Sequence, residues 1–183
     1  TNTLQADTWA LSETNVAGYT PSDWVCVGGT QNGANITVGI GGEATCTITN
    51  DDQQATVTVI KTVINNNGGT AGPNDFDLTL EGNAVLSGIA VPVDPGTYTA
   101  GETLVGGYAF TGFTGDCDAN GDVTVALGQH KTCTLTNNDI APKLHLRKVV
   151  INNNGGTASV ADFTLTADGT GSNDLSGASP VDS

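Results

Sequence analysis

Hydrophobic and polar residues alternate along most of the chain with a period of two. Val57, Val59 and Val63 lie on one face of a predicted strand, with threonines on the opposite face. Leu144 and Leu146 begin a second strand of the same kind. Alternate residues of a strand point to the same side, so this period indicates strands with one buried face. Short strands separated by Asn-rich and Gly-rich turns predict an all-β fold of tandem antiparallel β-sandwiches.

The alternating pattern itself repeats, at an interval of 87 residues (150 − 63). Residues 63–70, with the sequence VINNNGGT, return unchanged at 150–157. The segment CTITN at 46–50 returns as CTLTN at 133–137. The chain therefore holds one complete repeat, and it holds a second repeat whose two halves lie at opposite ends of the sequence. We call these the complete repeat and the split repeat.

This arrangement predicts one complete domain flanked by two complementary half-domains. The expected segments are a C-terminal half-sandwich at 1–52, a complete sandwich at 53–141 and an N-terminal half-sandwich at 142–183. A half-sandwich can neither cover its apolar strands nor pair its edges, so each half is expected to be completed by a neighbouring copy. The copies are either consecutive in one continuous chain or separate subunits that complement each other's strands. A head-to-tail contact that never closes builds a filament.

Scarce polar residues recur on the predicted apolar faces. The chain has only four Lys and four Glu, and two of each fall at matched inward positions of the two repeats. An Asn in the last strand of each repeat also points inward. The two sets are Lys61, Glu102 and Asn137 in the complete repeat, and Lys148, Glu13 and Asn50 in the split repeat. An unpaired buried ammonium is costly, so the members of each set are expected to interact.

The sequence around these sets carries a family resemblance. The matching segments of the complete repeat are Val59-Ile60-Lys61, Tyr98-Thr99-Ala100-Gly101-Glu102 with Gly107-Tyr108, and Thr134-Leu135-Thr136-Asn137. The split repeat offers Arg147-Lys148-Val149, Leu11-Ser12-Glu13 with Gly18-Tyr19, and Thr47-Ile48-Thr49-Asn50. Across essentially its whole length the chain resembles the prealbumin-like (CnaB or SpaA-type) domains of bacterial surface proteins and pilins. The resemblance implies a β-sandwich in which Lys and Asn form a spontaneous isopeptide bond assisted by the Glu.

The physical chemistry of a buried lysine makes this crosslink reasonable. Burial lowers the pKa of the amine and so produces a neutral nucleophile that can attack a carboxamide. A neighbouring Glu can carry protons between the reacting groups, and packing can hold them in a near-attack geometry. The alternative is a Lys–Glu–Asn hydrogen-bonded cluster without a covalent link, or a Lys whose ammonium reaches solvent.

Four cysteines occur as one pair in each repeat, Cys26 with Cys46 and Cys117 with Cys133. A metal site would require short C-x-x-C pairs with further ligands, which the sequence lacks. The pairs therefore predict disulfides and an oxidising, extracytoplasmic setting. Each closed loop is expected to contribute ~3 kcal/mol in the chain-entropy model.

Charge and hydropathy exclude two classes of partner. The net charge is −14, with 19 acidic residues against five basic ones. Such a surface repels the phosphates of nucleic acid, so no nucleic-acid partner is expected. No stretch is long and apolar enough to cross a membrane, so no membrane insertion is expected in this segment.

Two weaker motifs remain. One has the spacing of the first half of an EF-hand Ca²⁺ loop. Its residues are Asp116, Asp118, Asn120 and Asp122. Leu127 stands where such a loop needs a Glu, so an acidic turn is the alternative, and no other cofactor is expected. Asn35 begins an N-glycosylation sequon, a triplet that also occurs by chance.

These observations favour a structural function. We expect the repeat unit of an extracellular filament, stalk or fibre on a bacterial surface, with copies of itself as partners. No catalytic residues are predicted beyond those of autocatalytic crosslinking, because neither His130 nor His145 has a convincing Ser or Cys partner. The alternative is an adhesin module that binds a host protein or glycan, with the repeats acting as a spacer.

Overall fold

The computed structural model describes residues 4–171 and 173–183, and it contains two compact regions, 1–139 and 140–183. Its secondary structure is almost wholly β, with short 3-10 helices at Pro73–Asp75 and Val160–Asp162. The prediction of an all-β fold is therefore confirmed. Among the described residues, no helix is long and apolar enough to span a membrane.

The chain from residue 7 to residue 52 forms three small antiparallel sheets. Its strands are β1 (Asp7–Ala10), β2 (Tyr19–Pro21), β3 (Val25–Val27), β4 (Thr30–Asn32), β5 (Asn35–Val38), β6 (Thr45–Thr47) and β7 (Asn50–Asp52). The strand orders are β1–β5–β4, β2–β7 and β3–β6. Residues 1–3 of the predicted half-domain 1–52 lie outside the described residues.

The complete repeat forms two four-stranded sheets. Its strands are β8 (Ala55–Ile64), β9 (Leu78–Leu80), β10 (Asn83–Val85), β11 (Ala90–Val93), β12 (Gly96–Glu102), β13 (Tyr108–Gly115), β14 (Asp122–Val125) and β15 (His130–Asp139). One sheet has the order β10–β9–β12–β14 and the other β11–β8–β15–β13. All neighbours are antiparallel except β8 and β15, which run parallel as the first and last strands of the repeat.

The two sheets pack face to face through the inward positions that the alternation predicted. The largest fully buried side chains are Leu135, Val57, Val59, Val123, Val125, Asn137 and Cys133. The apolar members come from both sheets and form one core. Burying a Val or Leu side chain contributes roughly 1.5–3 kcal/mol, which makes this core the main source of stability for the sandwich.

The second compact region consists of two antiparallel strand pairs. Its strands are β16 (His145–Leu146), β17 (Thr164–Ala167), β18 (Leu175–Ala178) and β19 (Val181–Asp182). The pairs are β16–β19 and β17–β18. Ser172, within the predicted half-domain 142–183, lies outside the described residues.

The first half of the split repeat copies the strand pairing of the complete sandwich. The pair β1–β5 corresponds to β12–β14, and Tyr19 lies opposite Asp52 just as Tyr108 lies opposite Asp139. In the second half, β16 and β17 match β8 and β9 in sequence, but their antiparallel partners β19 and β18 pair with them at a different register from that of β11 and β10. The division of the chain into domains at 52 and 141 stays a prediction.

Candidate crosslinking site

Lys61 lies in the middle of β8 and points into the core of the sandwich. Only 3% of the residue is exposed, because the alternation of β8 places it on the same face as Val57 and Val59. Its backbone N–H donates to Ser87 Oγ at 2.9 Å, which fixes the strand at this point. The expectation that Lys61 points inward is thus met by the structure.

The Lys61 ammonium lies between the other two members of its set. Its Nζ donates to Asn137 Oδ1 at 2.7 Å and forms an ion pair with Glu102 Oε2. Asn137 is fully buried in β15, the parallel neighbour of β8. The ring of Phe76 covers the remaining side, with its centroid 4.2 Å from Nζ. The structure therefore brings the three predicted residues into one water-excluded cluster.

Burial changes the acid–base behaviour of this lysine. Desolvation lowers the pKa of Lys61 below its ordinary value of 10.5, and the hydrogen bond and charge of Glu102 oppose this shift only in part. Lys61 is accordingly easier to deprotonate in the folded protein than a lysine in water. A neutral lysine amine is a nucleophile, whereas an ammonium is not.

Two atoms of the cluster lack a hydrogen-bond partner among the described residues. They are Glu102 Oε1 and Asn137 Nδ2. An unsatisfied buried polar atom costs about 1–3 kcal/mol, so native cores rarely keep one without a reason. Here the free amide nitrogen belongs to the group that a lysine nucleophile would displace.

The structure assembles the set of the split repeat only in part. Asn50 Nδ2 donates to Glu13 Oε2 at 3.0 Å, and both side chains are exposed. Lys148 lies in the second compact region, with its Nζ 4.4 Å from the centroid of the Phe163 ring. Its backbone N–H donates to Ser179 Oγ at 3.0 Å, as that of Lys61 does to Ser87. Lys148 thus shares with Lys61 an aromatic ring beside Nζ and a serine at the backbone N–H, but it is half-buried where Lys61 is fully buried.

A carboxylate that the sequence pattern did not single out fixes the Asn-rich turn of the complete repeat. Asp139 accepts hydrogen bonds from the backbone N–H groups of Asn66, Asn67 and Gly69 at 2.7–2.9 Å. Desolvation opposes ionisation of Asp139, but these N–H groups outweigh it and keep the pKa of the carboxyl below its ordinary value of 3.8. The available signal was Asp52, which stands at the matching position of the split repeat.

Tyr108 secures the same turn from its other side. Its hydroxyl donates to Asn65 Oδ1 at 2.7 Å and accepts the backbone N–H of Ala71 at 2.8 Å. In the sequence, Tyr108 stands out only as part of the family motif, which predicts no contact for its hydroxyl. Asp139 thus joins β15 to the turn that follows β8, and Tyr108 joins β13 to the same turn.

Both predicted cysteine pairs are disulfides in the structure. The Cys26–Cys46 bond joins β3 to β6, with Cα atoms 4.0 Å apart. The Cys117–Cys133 bond joins the segment after β13 to β15, with Cα atoms 5.1 Å apart. The first bond therefore joins two paired strands, and the second joins the segment that follows β13 to β15, the strand with which β13 pairs.

The EF-hand-like segment forms an acidic turn. Asp118 Oδ1 accepts the backbone N–H groups of Asn120 and Asp122 at 2.8 and 2.9 Å. Asp116 pairs with Lys131, and Asp122 accepts the hydroxyl of Thr99. Within 4–171 and 173–183, no group of three or more His, Cys, Asp or Glu side chains could hold a metal ion. The carboxylates make local hydrogen bonds, as expected of an acidic turn, and a Ca²⁺ site in this segment stays a prediction.

The glycosylation candidate Asn35 is exposed at the start of β5, opposite Ala10 of β1. This position neither requires nor prevents a glycan. Its modification stays a prediction.

Comparison with known families gives one result for the chain. A family model of the SpaA type, described as prealbumin-like fold domain, matches residues 1–48, 52–135 and 139–183. The matched segments contain Lys61 and Glu102 as well as Glu13 and Lys148, whereas Asn50 and Asn137 each fall just beyond a matched segment. No curated protein and no solved structure matches the chain.

Proposed function

The chain belongs to the family of SpaA-type prealbumin-like fold domains, and on that premise we propose that it is a structural unit of an extracellular filament, stalk or fibre on a bacterial surface. The two disulfides support an oxidising location outside the cytoplasm. Copies of the chain assemble head-to-tail in this proposal. The protein bears load and has no substrate.

The observation that carries the proposal is the buried cluster of Lys61, Glu102 and Asn137. We propose that it forms an isopeptide bond between Lys61 Nζ and Asn137 Cγ. The neutral amine attacks the carboxamide carbon, a new C–N bond forms, and the bond from Cγ to Nδ2 breaks. Glu102 accepts a proton from the attacking amine and delivers it to the departing nitrogen. One ammonia leaves for each bond, and no oxidant or reductant takes part.

Three features of the cluster support this reaction. The Nζ to Oδ1 distance of 2.7 Å places the amine beside the carboxamide before any reaction, and such positioning replaces much of what an enzyme would supply. Desolvation favours the neutral amine. The unpaired Nδ2 is removed as ammonia, which eliminates a buried unsatisfied group.

The position of the bond explains what it would do. Lys61 lies in the first strand of the sandwich and Asn137 in the last, and these strands are parallel neighbours. A pull on the two ends of the repeat therefore loads the β8–β15 pair along its length. A covalent bond across this pair would carry the force and protect the enclosed residues, which span 76 positions of sequence, from extension.

Intact mass and peptide mapping test the crosslink. Wild-type chain should lack the mass of one ammonia in the segment 55–139, and a branched peptide should join Lys61 to Asn137. Lys61→Met should keep the full mass. Lys131→Met is the matched control, because Lys131 is a half-exposed lysine of the same sandwich, and it should lose ammonia like the wild type. A wild-type segment of unmodified mass after prolonged incubation would leave only a hydrogen-bonded cluster.

Electron microscopy of the native material tests the structural role. Long fibres with a constant axial repeat are expected on the cell surface. A monomer that shows saturable binding to a host protein or glycan, without fibres, would instead support the adhesin alternative.

A further inference from the structure

The inward side chains of residues 4–46 line an open cavity of about 600 Å³. The main apolar ones are Trp9, Leu11, Ile36, Val38 and Cys46. We call this set the acceptor face. Its counterparts in the complete repeat are Tyr98, Ala100, Val123, Val125 and Cys133. Those residues take part in the closed core, where β8 and β9 cover them.

The second compact region carries the matching cover. Its residues Leu144, Leu146, Leu165 and Ala167 correspond to Val57, Val59, Leu78 and Leu80 of β8 and β9. We call them the donor face. They are far less buried than their counterparts: Leu144 is 48% exposed where Val57 is fully buried, and neighbouring Phe163 is 37% exposed where Phe76 is 4% exposed. An apolar strand face in this state needs a partner.

The two faces are complementary in volume. In the complete sandwich, small Ala100 of β12 lies opposite large Leu80 of β9. At the matching positions of the split repeat, the acceptor face has large Leu11 and the donor face has small Ala167. The exchange keeps the combined side-chain volume nearly unchanged, and cores tolerate substitutions that conserve volume. Two unrelated surfaces would have no reason to match in this way.

We propose that the acceptor face of one copy is closed by the donor face of a second copy of this chain. This inference rests on the proposed structural function and names the surface through which the copies join. The copies form a composite sandwich in which β16 lies beside β6 and β7, as β8 lies beside β15 in the complete repeat. β17 lies beside β1, as β9 lies beside β12.

A preformed turn on the donor side supports the composite sandwich independently. Asn152 Nδ2 donates to the carbonyl of Ala158 at 2.9 Å, as Asn65 does to Ala71 at 3.0 Å. Asn154 donates to Asn153 Oδ1, as Asn67 does to Asn66. The turn therefore has the internal hydrogen bonds of its counterpart in the complete repeat.

The carboxylate and hydroxyl that complete this turn lie in the first compact region. Asp52 and Tyr19 face each other across the β2–β7 pair, at the register of Asp139 and Tyr108. Asp52 is exposed, and 45% of Tyr19 is exposed. In the composite sandwich, Asp52 of one copy accepts the backbone N–H groups of Asn153, Asn154 and Gly156 of the other. Successive N–H groups of this kind form an anion-binding site.

The same contact completes the second crosslinking set. The carboxylate of Glu13, already hydrogen-bonded to Asn50, receives the ammonium of Lys148 from the second copy. The reaction proposed above for Lys61 then joins Lys148 Nζ to Asn50 Cγ with loss of one ammonia. Each junction of the filament becomes a covalent bond between copies.

A capping experiment on the full chain tests the surface. Leu165→Asp disables the donor face and Leu11→Asp disables the acceptor face. By light scattering, the wild-type chain should have the molar masses of a series of oligomers. Each variant alone should have the molar mass of a monomer. An equimolar mixture of the two variants should stop at the dimer, because only one functional junction remains. Unchanged melting of the complete sandwich shows that the variants are folded.

A glycine in the donor-side turn, Gly156, offers a milder variant than the two Asp substitutions. A Cβ at Gly69 would overlap the Tyr108 hydroxyl and lie 2.8 Å from Asp139 Cβ, whereas a Cβ at Gly156 meets only the end of the Asn152 side chain, with Oδ1 at 3.0 Å. Gly156→Ala therefore requires only a small shift of the Asn152 amide within its own region, but it clashes with Asp52 and Tyr19 of a second copy. It should weaken association by about tenfold or more. Gly106→Ala, which has open space around its Cβ, should associate like the wild type.

Three outcomes would overturn this inference. They are a wild-type chain that stays monomeric at high concentration, a mixture of capped variants that forms no dimer, and a Lys148–Asn50 link confined to single chains. The Lys61–Asn137 bond is read from a different peptide, so failure at the junction and failure of the proposed function can be told apart.

Discussion

At the residue scale, the proposed crosslinking reaction depends on one lysine amine that is buried away from water. Lys61 meets both a carboxylate and a carboxamide, and these two neighbours favour opposite states of the lysine. The Glu102 carboxylate holds a proton on Nζ, whereas desolvation removes it. Because Nζ already contacts both groups, a proton can pass from Lys61 to Glu102 without any movement of the backbone. That is the condition under which a carboxamide, a poor electrophile, can react.

Substitution of Glu102 separates proton transfer from packing. Glu102→Gln keeps the shape of the side chain but can no longer accept a proton, so we expect crosslinking to slow by roughly 10²–10⁴-fold. The rate is measured as loss of ammonia by mass spectrometry of freshly synthesised chain. Glu81→Gln, a change at a glutamate outside the cluster, serves as the control. Crosslinking of Glu102→Gln at the wild-type rate would remove Glu102 from the mechanism.

The pH dependence of crosslinking has a defined sign. Burial lowers the pKa of Lys61 below 10.5. The fraction of neutral amine therefore grows as the pH rises towards this lowered pKa. The rate should increase by about tenfold per pH unit while most of the amine is protonated, and then level off. Ammonia release from chain refolded at a series of pH values measures this profile. A rate that falls with rising pH would contradict attack by the neutral amine.

At the element scale, the parity of the strands decides which side chains meet. Alternation alone places Lys61, Glu102 and Asn137 inward, and it was sufficient to predict their cluster. It does not specify which strands become neighbours, so the sequence did not reveal that β8 and β15 run parallel. Nor did it reveal the contacts of Asp139, because a carboxylate at the end of a strand gains its N–H partners only when the turn 65–71 folds over it.

The EF-hand-like segment shows a second limit of reasoning from sequence spacing. Asp-x-Asp-x-Asn-Gly spacing is shared by metal loops and by turns in which Asp accepts backbone N–H groups. Sequence spacing cannot distinguish these two uses. In this structure the Asp118 carboxylate closes the turn on Asn120 and Asp122.

The disulfide of the complete repeat should be a measurable part of its stability. The Cys117–Cys133 bond closes a loop of 16 residues between the end of β13 and β15. Replacing both cysteines by Ala should lower the free energy of unfolding by ~3 kcal/mol, because the unfolded chain regains the entropy of the open loop. Denaturant titration followed by far-UV circular dichroism measures this loss of free energy. A change below about 0.5 kcal/mol would show that the strand pairing already fixes the loop.

At the scale of the whole molecule, the two proposed kinds of bond have different tasks. A bond from Lys61 to Asn137 stiffens one sandwich, and a bond from Lys148 to Asn50 joins successive copies. The complete repeat then acts as the template for the composite one, since each contact of the proposed junction has a counterpart that is already formed within a single chain. A fibre built this way has the same fold at every position along its axis.

Force measurements test the load-bearing role most directly. Lys61 and Asn137 are separated by 76 positions, which corresponds to about 250 Å of extended chain at ~3.3 Å per residue. When the wild-type chain is stretched by its ends under reducing conditions, we expect this extension to be absent, because the proposed isopeptide bond would bypass the segment. Lys61→Met should release it in one step. Lys131→Met, which leaves the bond intact, should behave like the wild type, and a wild-type chain that extends as far as Lys61→Met would show that no covalent bond spans β8 and β15.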